Sequence, residues 1–177
     1  MQISPTPILR TPRLVLREVR ASDWRQMLHL RSDPQVNALV KRPLSKTKED
    51  AIAFIKKVDG SNQAEQFVYW GITLPETDQV IGSICLWQFS ADGKTAEVGY
   101  DLSVAEQGNG YMTEAMQAVL DFGFAKIGLT AVEAYTQSNN VSSIKLLEKF
   151  GFRLLVDRKD ENNKLNAVYA LNATTMR

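Results

Sequence analysis

The sequence contains only one cysteine and one histidine in 177 residues. A single cysteine, Cys85, cannot form a disulfide within the chain, and with His29 alone beside it no Cys/His zinc cluster can be assembled. The Gly-x-Ser-x-Gly elbow of many Ser-His-Asp hydrolases is also absent. His29 falls at a helical position in "WRQMLHLRS", where we expect a packing or surface role. Chemistry without a metal is therefore expected.

Long hydrophobic runs are missing as well. No apolar run approaches the roughly 18 residues that a membrane span needs, and the N-terminal "MQISPTPILRTPR" lacks the charged start and apolar centre of a signal peptide. With 44% apolar and 23% charged residues, the composition is that of an ordinary globular protein. We therefore expect one cytoplasmic domain over residues 1 to 177, monomeric or homodimeric, with no membrane partner.

Neither sign of charge is in excess overall, because the net charge is only +1. The charges are unevenly placed: residues 1 to 57 hold twelve Lys and Arg against five acids, and the remaining residues hold nine against fifteen. Such asymmetry indicates either a binding face for an acidic partner or charges that neutralise one another across the fold. No basic run with interleaved aromatics points to nucleic acid.

Hydrophobic periodicity predicts most of the secondary structure in the N-terminal half. "RLVLREV" (13 to 19) alternates like a strand, and "ASDWRQMLHLRSD" has helical spacing that Pro34 should interrupt. A second helix begins at the capping box "TKED" (47 to 50), and "DGSN" (59 to 62) is predicted to end it. Two strands follow, at 66 to 74 and 79 to 89, the second apolar enough to be covered on both faces.

The C-terminal half continues with a strand at 95 to 104, whose alternation places Glu97 and Gly99 on the face opposite Val98 and Tyr100. A helix over 110 to 127, a strand at 131 to 137, a helix at 140 to 150 and a closing hairpin complete the chain. The order predicts one α/β (α+β) domain on a largely antiparallel sheet, with one crossover through the helix at 110 to 127.

The turn in "SVAEQGNGYMTEAM" (103 to 116) joins that strand to the long helix. Free N–H groups at a helix start, the helix dipole and glycines that allow close approach together form an anion site suited to phosphate or pyrophosphate, although such a turn can also be bare. A P-loop would need a lysine that is missing, and a dinucleotide fingerprint would need three spaced glycines in an N-terminal βαβ unit. Both are disfavoured.

These residues resemble a known family. "QGNGYMTEAM" is similar to the Gln/Arg-x-x-Gly-x-Gly/Ala signature of the GNAT acyltransferases, and "RTPRLVLREVRASDW", "IGSICL", "AEVGYDL" and "NNVSSIKLLEKFGF" resemble the RimJ/RimL-like subgroup that modifies ribosomal-protein N-termini. The resemblance covers about residues 8 to 155 in family order. It implies helices on both faces of a sheet whose central strands splay apart.

The resemblance also implies acetyl-CoA as co-substrate. Its pantetheine arm would lie in the splayed gap, and its pyrophosphate would bind backbone N–H groups of the turn, with a hydroxyl from Thr113. The cofactor-binding residues implied in this way are Leu102, Ser103, Val104, Gln107, Gly108, Asn109, Gly110, Tyr111, Met112, Thr113 and Asn140. The thioester oxygen would be polarised by a backbone N–H near Leu102 or Ser103.

Glu97 is the candidate general base, since a glutamate occupies the matching segment of this subgroup and apolar strands would raise its pKa. A rim glutamate paired with a basic side chain is the alternative. The tyrosine that many family members use to protonate the thiolate is replaced by Leu147. Asn140 would bind the pantetheine arm, and Ser143 would donate to the sulfur or orient a water; both residue types also favour helix capping.

Cys85 could suggest a covalent mechanism, but its apolar strand favours a packing role and direct attack in a ternary complex. The acceptor, a peptide N-terminus or a small amine and possibly acidic, would bind near residues of the N-terminal helices and hairpin: Trp24, Arg25, Arg31, Lys41, Arg42, Trp70 and Trp87. Two other functions stay open: a non-catalytic acyl-CoA sensor, motivated by Leu147, and a plain nucleotide binder.

Overall fold

The computed structural model describes residues 5 to 175, so the domain predicted over 1 to 177 extends beyond the described part at both ends. Its α-helices are α1 (Trp24–Ser32), α2 (Pro34–Asn37), α3 (Lys48–Gln63), α4 (Tyr111–Phe122) and α5 (Val141–Lys149). Its strands are β1 (Leu9–Arg10), β2 (Val15–Arg17), β3 (Phe67–Thr73), β4 (Val80–Trp87), β5 (Thr95–Leu102), β6 (Ala131–Gln137), β7 (Arg153–Lys159) and β8 (Asn166–Asn172).

All eight strands form one sheet in the order β1-β2-β3-β4-β5-β6-β8-β7. Every neighbouring pair is antiparallel except β5 and β6, which are parallel and are connected through α4. This confirms the predicted α/β class with a mostly antiparallel sheet. The closing hairpin pairs as expected, but its second strand, β8, lies between β6 and β7.

Helices cover both faces of the sheet. Because successive side chains of a strand point to opposite faces, Tyr69 of β3 packs with Met27 and Ile55 of α1 and α3, whereas its neighbour Trp70 packs in the larger core with Met116 of α4. The core on the α4 side also takes Leu147 of α5, which is fully buried. As predicted, β4 is therefore covered on both sides.

The capping box that begins α3 is present, because the Thr47 hydroxyl accepts from the Asp50 N–H (3.2 Å) and the Asp50 carboxylate accepts from the Thr47 N–H (3.0 Å). The predicted helix end at 59 to 62 is wrong, since α3 continues to Gln63. The reason is tertiary: the Oδ1 of buried Asn62 accepts the Tyr69 N–H at the start of β3 (3.1 Å). A residue that favours turns in isolation is held in the helix by this bond.

Replacing Asn62 by alanine is expected to lower the free energy of unfolding by about 1 to 3 kcal/mol, since the buried Tyr69 N–H loses its acceptor. Urea denaturation measures the change. The control is Gln63→Ala, at an exposed position on the same helical turn. An Asn62 variant as stable as this control would show that the bond does not hold the end of α3.

Two further helix boundaries follow local rules. Pro34 interrupts the first helix as predicted but also begins α2, where the Asp33 carboxylate accepts the N–H groups of Gln35 and Val36. The helix that starts at Tyr111 continues beyond Phe122 as a π-helical turn over Gly123–Ile127 and ends at Gly128 in the left-handed conformation. Across residues 5 to 175, no helix is both long and apolar enough to span a membrane.

Candidate active site

The sheet splits between β5 and β6. Their pairing stops at Glu97 and Glu133, although β5 continues to Leu102 and β6 to Gln137. The Ser103 N–H donates to the Ile81 carbonyl (2.8 Å), so the odd-numbered residues of β5 turn their backbone groups toward β4. The backbone groups of Val98, Tyr100 and Leu102 consequently face the gap.

This register places only some of the predicted pantetheine-binding residues at the gap. The backbone of Leu102 faces the gap, and its carbonyl accepts from the Gln107 side-chain amide (3.1 Å). The Ser103 N–H is already used by Ile81, so it is not a donor for the thioester oxygen. Val104 follows in a short 3-10 turn, Val104–Glu106, and is more than one third exposed. The N–H groups of Val98 and Tyr100, which were not considered from the sequence, face the gap together with that of Leu102.

The glycine turn opens α4 in the geometry of an anion site. Gly108 and Gly110 have φ near +80° and +79°, a conformation that side chains disfavour, and Gly110 caps the helix. The first intrahelical bond runs from Glu114 to Gly110, so the N–H groups of Tyr111, Met112 and Thr113 precede it. Of the predicted turn donors, the Gln107 N–H bonds instead to the Val104 carbonyl, and Asn109 is exposed.

Arg13 adds a cation to this turn that was not foreseen. Its guanidinium donates to the Asn109 carbonyl (3.0 Å), pairs with Glu114 (2.8 Å) and lies 4.8 Å from the Tyr111 ring centroid. The contact carries no local sequence signal, because Arg13 precedes Asn109 by 96 positions. It fixes the turn, and its ion pair with Glu114 balances its charge there.

Glu97 lines a cavity of about 1110 Å³ on the side of the sheet that α1 and α3 cover. Burial raises the pKa of its carboxyl to about 7, the negative charges of Asp160 and Glu133 add to this shift, and a hydrogen bond from Trp87 opposes it. Glu97 forms no ion pair among the described residues. The alternative, a rim glutamate paired with a basic side chain, applies instead to Glu133, whose carboxylate accepts from Arg158 at 2.8 and 3.1 Å.

Two hydroxyl groups that are hydrogen-bonded to each other also line the cavity. The Tyr100 hydroxyl and the Ser143 hydroxyl share a 2.7 Å hydrogen bond, and Asn140 caps α5 by accepting the Ser143 N–H (3.2 Å). Burial raises the pKa of Tyr100 to about 12, so its hydroxyl stays protonated. Leu147 offers no chemistry, because it is buried in the core. Sequence reasoning missed Tyr100 because it lies 43 positions before Ser143.

Cys85 lies on the same face, and its position agrees with a packing role. Burial raises the pKa of its thiol to about 12, the opposite of what an activated nucleophile requires. Its sulfur would lie 3.3 Å from a Cβ added at Gly99, the neighbour across β4 and β5. Gly99 thus accommodates the Cys85 side chain.

The predicted acceptor residues separate into two groups. Arg31, Lys41, Arg42 and Trp87 line the cavity. Trp70 does not, because it is fully buried on the opposite face, where its indole N–H donates to the Pro7 carbonyl. Trp24 and Arg25 stack on one another outside the cavity lining, at the start of α1. His29 is exposed and belongs to the surface. No group of three metal-binding side chains occurs in the described part of the chain.

Comparison with known proteins agrees with this geometry. The family model described as "Acetyltransferase (GNAT) domain" matches residues 13–153. The chain is also similar to the "Uncharacterized N-acetyltransferase p20" of Bacillus licheniformis, with 33% identity over 167 residues that cover 91% of this chain and 92% of that protein.

Solved structures have the same fold. A GNAT-family acetyltransferase from Bacillus anthracis superposes with a TM-score of 0.79 at 24% identity, covering 94% of this chain and 98% of that one. Mycobacterium smegmatis RimJ in complex with CoA-disulfide gives a TM-score of 0.76 at 20% identity, with 95% and 87% covered. The family model, the relative and the split sheet lead to one conclusion: this protein belongs to the GNAT acetyltransferase family.

Proposed function

We propose that the protein transfers the acetyl group of acetyl-CoA to a primary amine by direct attack in a ternary complex. The observation that carries this proposal is the end of β5–β6 pairing at Glu97 and Glu133, where the gap opens beside the Glu97 carboxyl and the Tyr100–Ser143 hydroxyl pair. The glycine turn lies at the far end of β5, and its N–H groups would bind the pyrophosphate of the cofactor. Mycobacterium smegmatis RimJ, which has this fold and was solved in complex with CoA-disulfide, supports a CoA ligand.

Glu97 would act as the general base. With a pKa of about 7, its carboxylate is ionised in part at neutral pH and is basic enough to take a proton from an ammonium or an attacking amine, directly or through a water. The amine nitrogen then forms a bond to the carbonyl carbon. The N–H groups of Val98 or Tyr100, which face the gap, would stabilise the oxyanion.

The C–S bond breaks as the thiolate of CoA leaves. Two hydroxyls joined by one hydrogen bond leave one O–H free, so the Tyr100–Ser143 pair can donate to the departing sulfur. The proton taken up by Glu97 can pass through water to the thiolate, because a thiol usually has a pKa of about 8.5, above that of this carboxyl. Amide, free CoA and ionised Glu97 result, and when the acceptor enters as an ammonium a second proton leaves to solvent. Asn140, at the start of α5, would orient the pantetheine arm.

Replacing Tyr100 by phenylalanine is expected to lower kcat about tenfold, the effect of losing one hydrogen bond of about 1.4 kcal/mol to a charged group, with acetyl-CoA affinity unchanged. Steady-state kinetics and calorimetry measure the two quantities. Tyr135→Phe is the matched control, since its hydroxyl also lines the cavity but bonds to Glu133 (3.0 Å). Equal kcat values for both variants would remove the hydroxyl pair from the mechanism.

The proposed function itself is tested by release of free thiol from acetyl-CoA across a panel of amines, with the acetylated product identified by mass. Amine-dependent release is the expected result. In this proposal the hydroxyl pair would supply the proton donor that Leu147, the reason for the sensor hypothesis, cannot supply. A protein that binds acetyl-CoA but releases no thiol with any amine would be such a sensor, and ATP affinity equal to that for CoA would indicate a nucleotide binder.

A further inference from the structure

Arg31 is a buried cation that has no ion-pair partner among residues 5 to 175. It lies in the last turn of α1, is 9% exposed and lines the cavity that contains Glu97. Its guanidinium carbon lies 3.7 Å from the Phe54 ring centroid, and one terminal nitrogen donates to the Pro43 carbonyl (3.0 Å). Its Nε is buried without a hydrogen-bond partner, and no carboxylate of residues 5 to 175 forms an ion pair with it. Buried polar groups normally have partners.

The neighbouring cation, Arg42, is in the opposite situation. It pairs with buried Asp101 (2.6 Å), donates to the Asn37 side chain (2.7 Å) and donates to the Leu30 carbonyl (3.1 Å). Asp101 also accepts from the Ser83 hydroxyl. Burial and the charge of Arg42 lower the pKa of Arg31, and Asp101 only partly offsets this. The charges of Arg31, Arg42 and Asp101 thus sum to one net positive charge.

The other end of the cavity is acidic. Glu97 lies four residues before Asp101 on the same face of β5, which separates their Cα atoms by about 13 Å. Asp160 and Glu133 reinforce the negative charge there, although Arg158 pairs with Glu133. The cavity is therefore dipolar, with its proton acceptor at one end and an uncompensated guanidinium at the other.

We infer that the acceptor is a primary amine that also carries a carboxylate, such as a short peptide with a free C-terminus, bound with its amine at Glu97 and its carboxylate on Arg31. The inference rests on the proposed function, which supplies the amine and the base. A carboxylate fits the site because its negative charge offsets that of a guanidinium without an ion-pair partner in the described part of the chain, and its two oxygens can accept hydrogen bonds from that guanidinium.

The test uses di- and tripeptides, each as the free acid and as the C-terminal amide, with the full-length protein and saturating acetyl-CoA. The wild type is expected to acetylate the acids with kcat/KM about 10- to 100-fold above the amides, the range of a charge-assisted hydrogen bond. Arg31→Gln should remove this preference, and Arg31→Lys should retain part of it. Acids no better than amides would overturn the inference.

Lys57→Gln is the control, since it removes a positive charge from an exposed residue of α3 that does not line the cavity. It should leave the preference intact. Acetyl-CoA affinity, measured by calorimetry, should be equal in all variants; a loss confined to Arg31→Gln would assign Arg31 to the cofactor and overturn the inference.

A second readout does not require turnover. In the presence of CoA, calorimetry should show N-acetylated peptide acids binding the wild type more tightly than their amides, and Arg31→Gln should abolish the difference. Equal binding, or no binding of either form, would contradict the inference. Acetylation of other amines, with no preference for carboxylates, would leave the proposed function standing and remove only this substrate class.

Discussion

Replacing Glu97 by glutamine is expected to lower kcat/KM at pH 7 about 100- to 10,000-fold, the usual contribution of a positioned general base. Glutamine has nearly the same size and can still accept a hydrogen bond from Trp87, but it cannot take up a proton. Acetyl-CoA affinity should not change, because the carboxyl faces the cavity and not the glycine turn. Steady-state kinetics at saturating acetyl-CoA measures the loss.

The pKa of Glu97 also predicts the direction in which kcat/KM changes with pH. A base with a pKa of about 7 is active when ionised, so wild-type kcat/KM should fall tenfold per pH unit below about pH 7 and level off above it. The kcat/KM of the glutamine variant should not show this fall below pH 7. A variant whose pH profile overlays that of the wild type would show that Glu97 is not the base.

Glu133→Gln is the matched control, because Glu133 lies opposite Glu97 on the neighbouring strand and its negative charge raises the pKa of Glu97. The Glu133 variant should keep activity, and the fall of its kcat/KM should begin at a lower pH than in the wild type. Stability provides a second control: a pKa raised from 4.5 means that wild-type stability falls as pH rises through about 7, so Glu97→Gln should be at least as stable above that pH.

Replacing Gly110 by valine is expected to weaken acetyl-CoA binding about 100-fold or more. Its φ of +79° aims the N–H groups of the first helical turn outward, and a β-branched residue avoids that region. Relaxing to negative φ would turn these donors away from the pyrophosphate, and each charge-assisted bond lost removes about 1.5 to 3 kcal/mol. Calorimetry with acetyl-CoA measures the affinity.

Gly93→Val separates this effect from backbone strain. Gly93 also has a positive φ (+66°), in the turn between β4 and β5, with open space around it. It should lose stability in the same way, measured by urea denaturation, while acetyl-CoA affinity stays near that of the wild type. Unchanged affinity in the Gly110 variant would remove the pyrophosphate from this turn.

The sequence predicted those features whose causes are local. Hydroxyl and carboxylate three residues apart identified the start of α3, and alternation in β5 placed Glu97 on one face and Tyr100 on the other. It misplaced the end of α3, because the bond from Tyr69 to Asn62 is a tertiary contact. Turn propensity in "DGSN" was therefore an insufficient guide.

The rest of the site depends on residues that are distant in sequence. The Tyr100–Ser143 pair, the Arg13 contact with the glycine turn and the pairing of Arg158 with Glu133 each join different elements across the fold. Trp70 was misassigned to the acceptor region for a related reason, since alternation gives two faces of β3 without saying which one carries the cavity. Only the packing of α1 and α3 decides that.

The most direct test of the account is a single turnover with acetyl-CoA that carries an isotopically labelled acetyl group, followed by mass spectrometry of protein and amine. Direct attack at the split between β5 and β6 predicts that the label appears on the amine nitrogen as free CoA forms, with none on the protein. Label on Cys85, or release of labelled acetate with the amine unmodified, would contradict direct transfer.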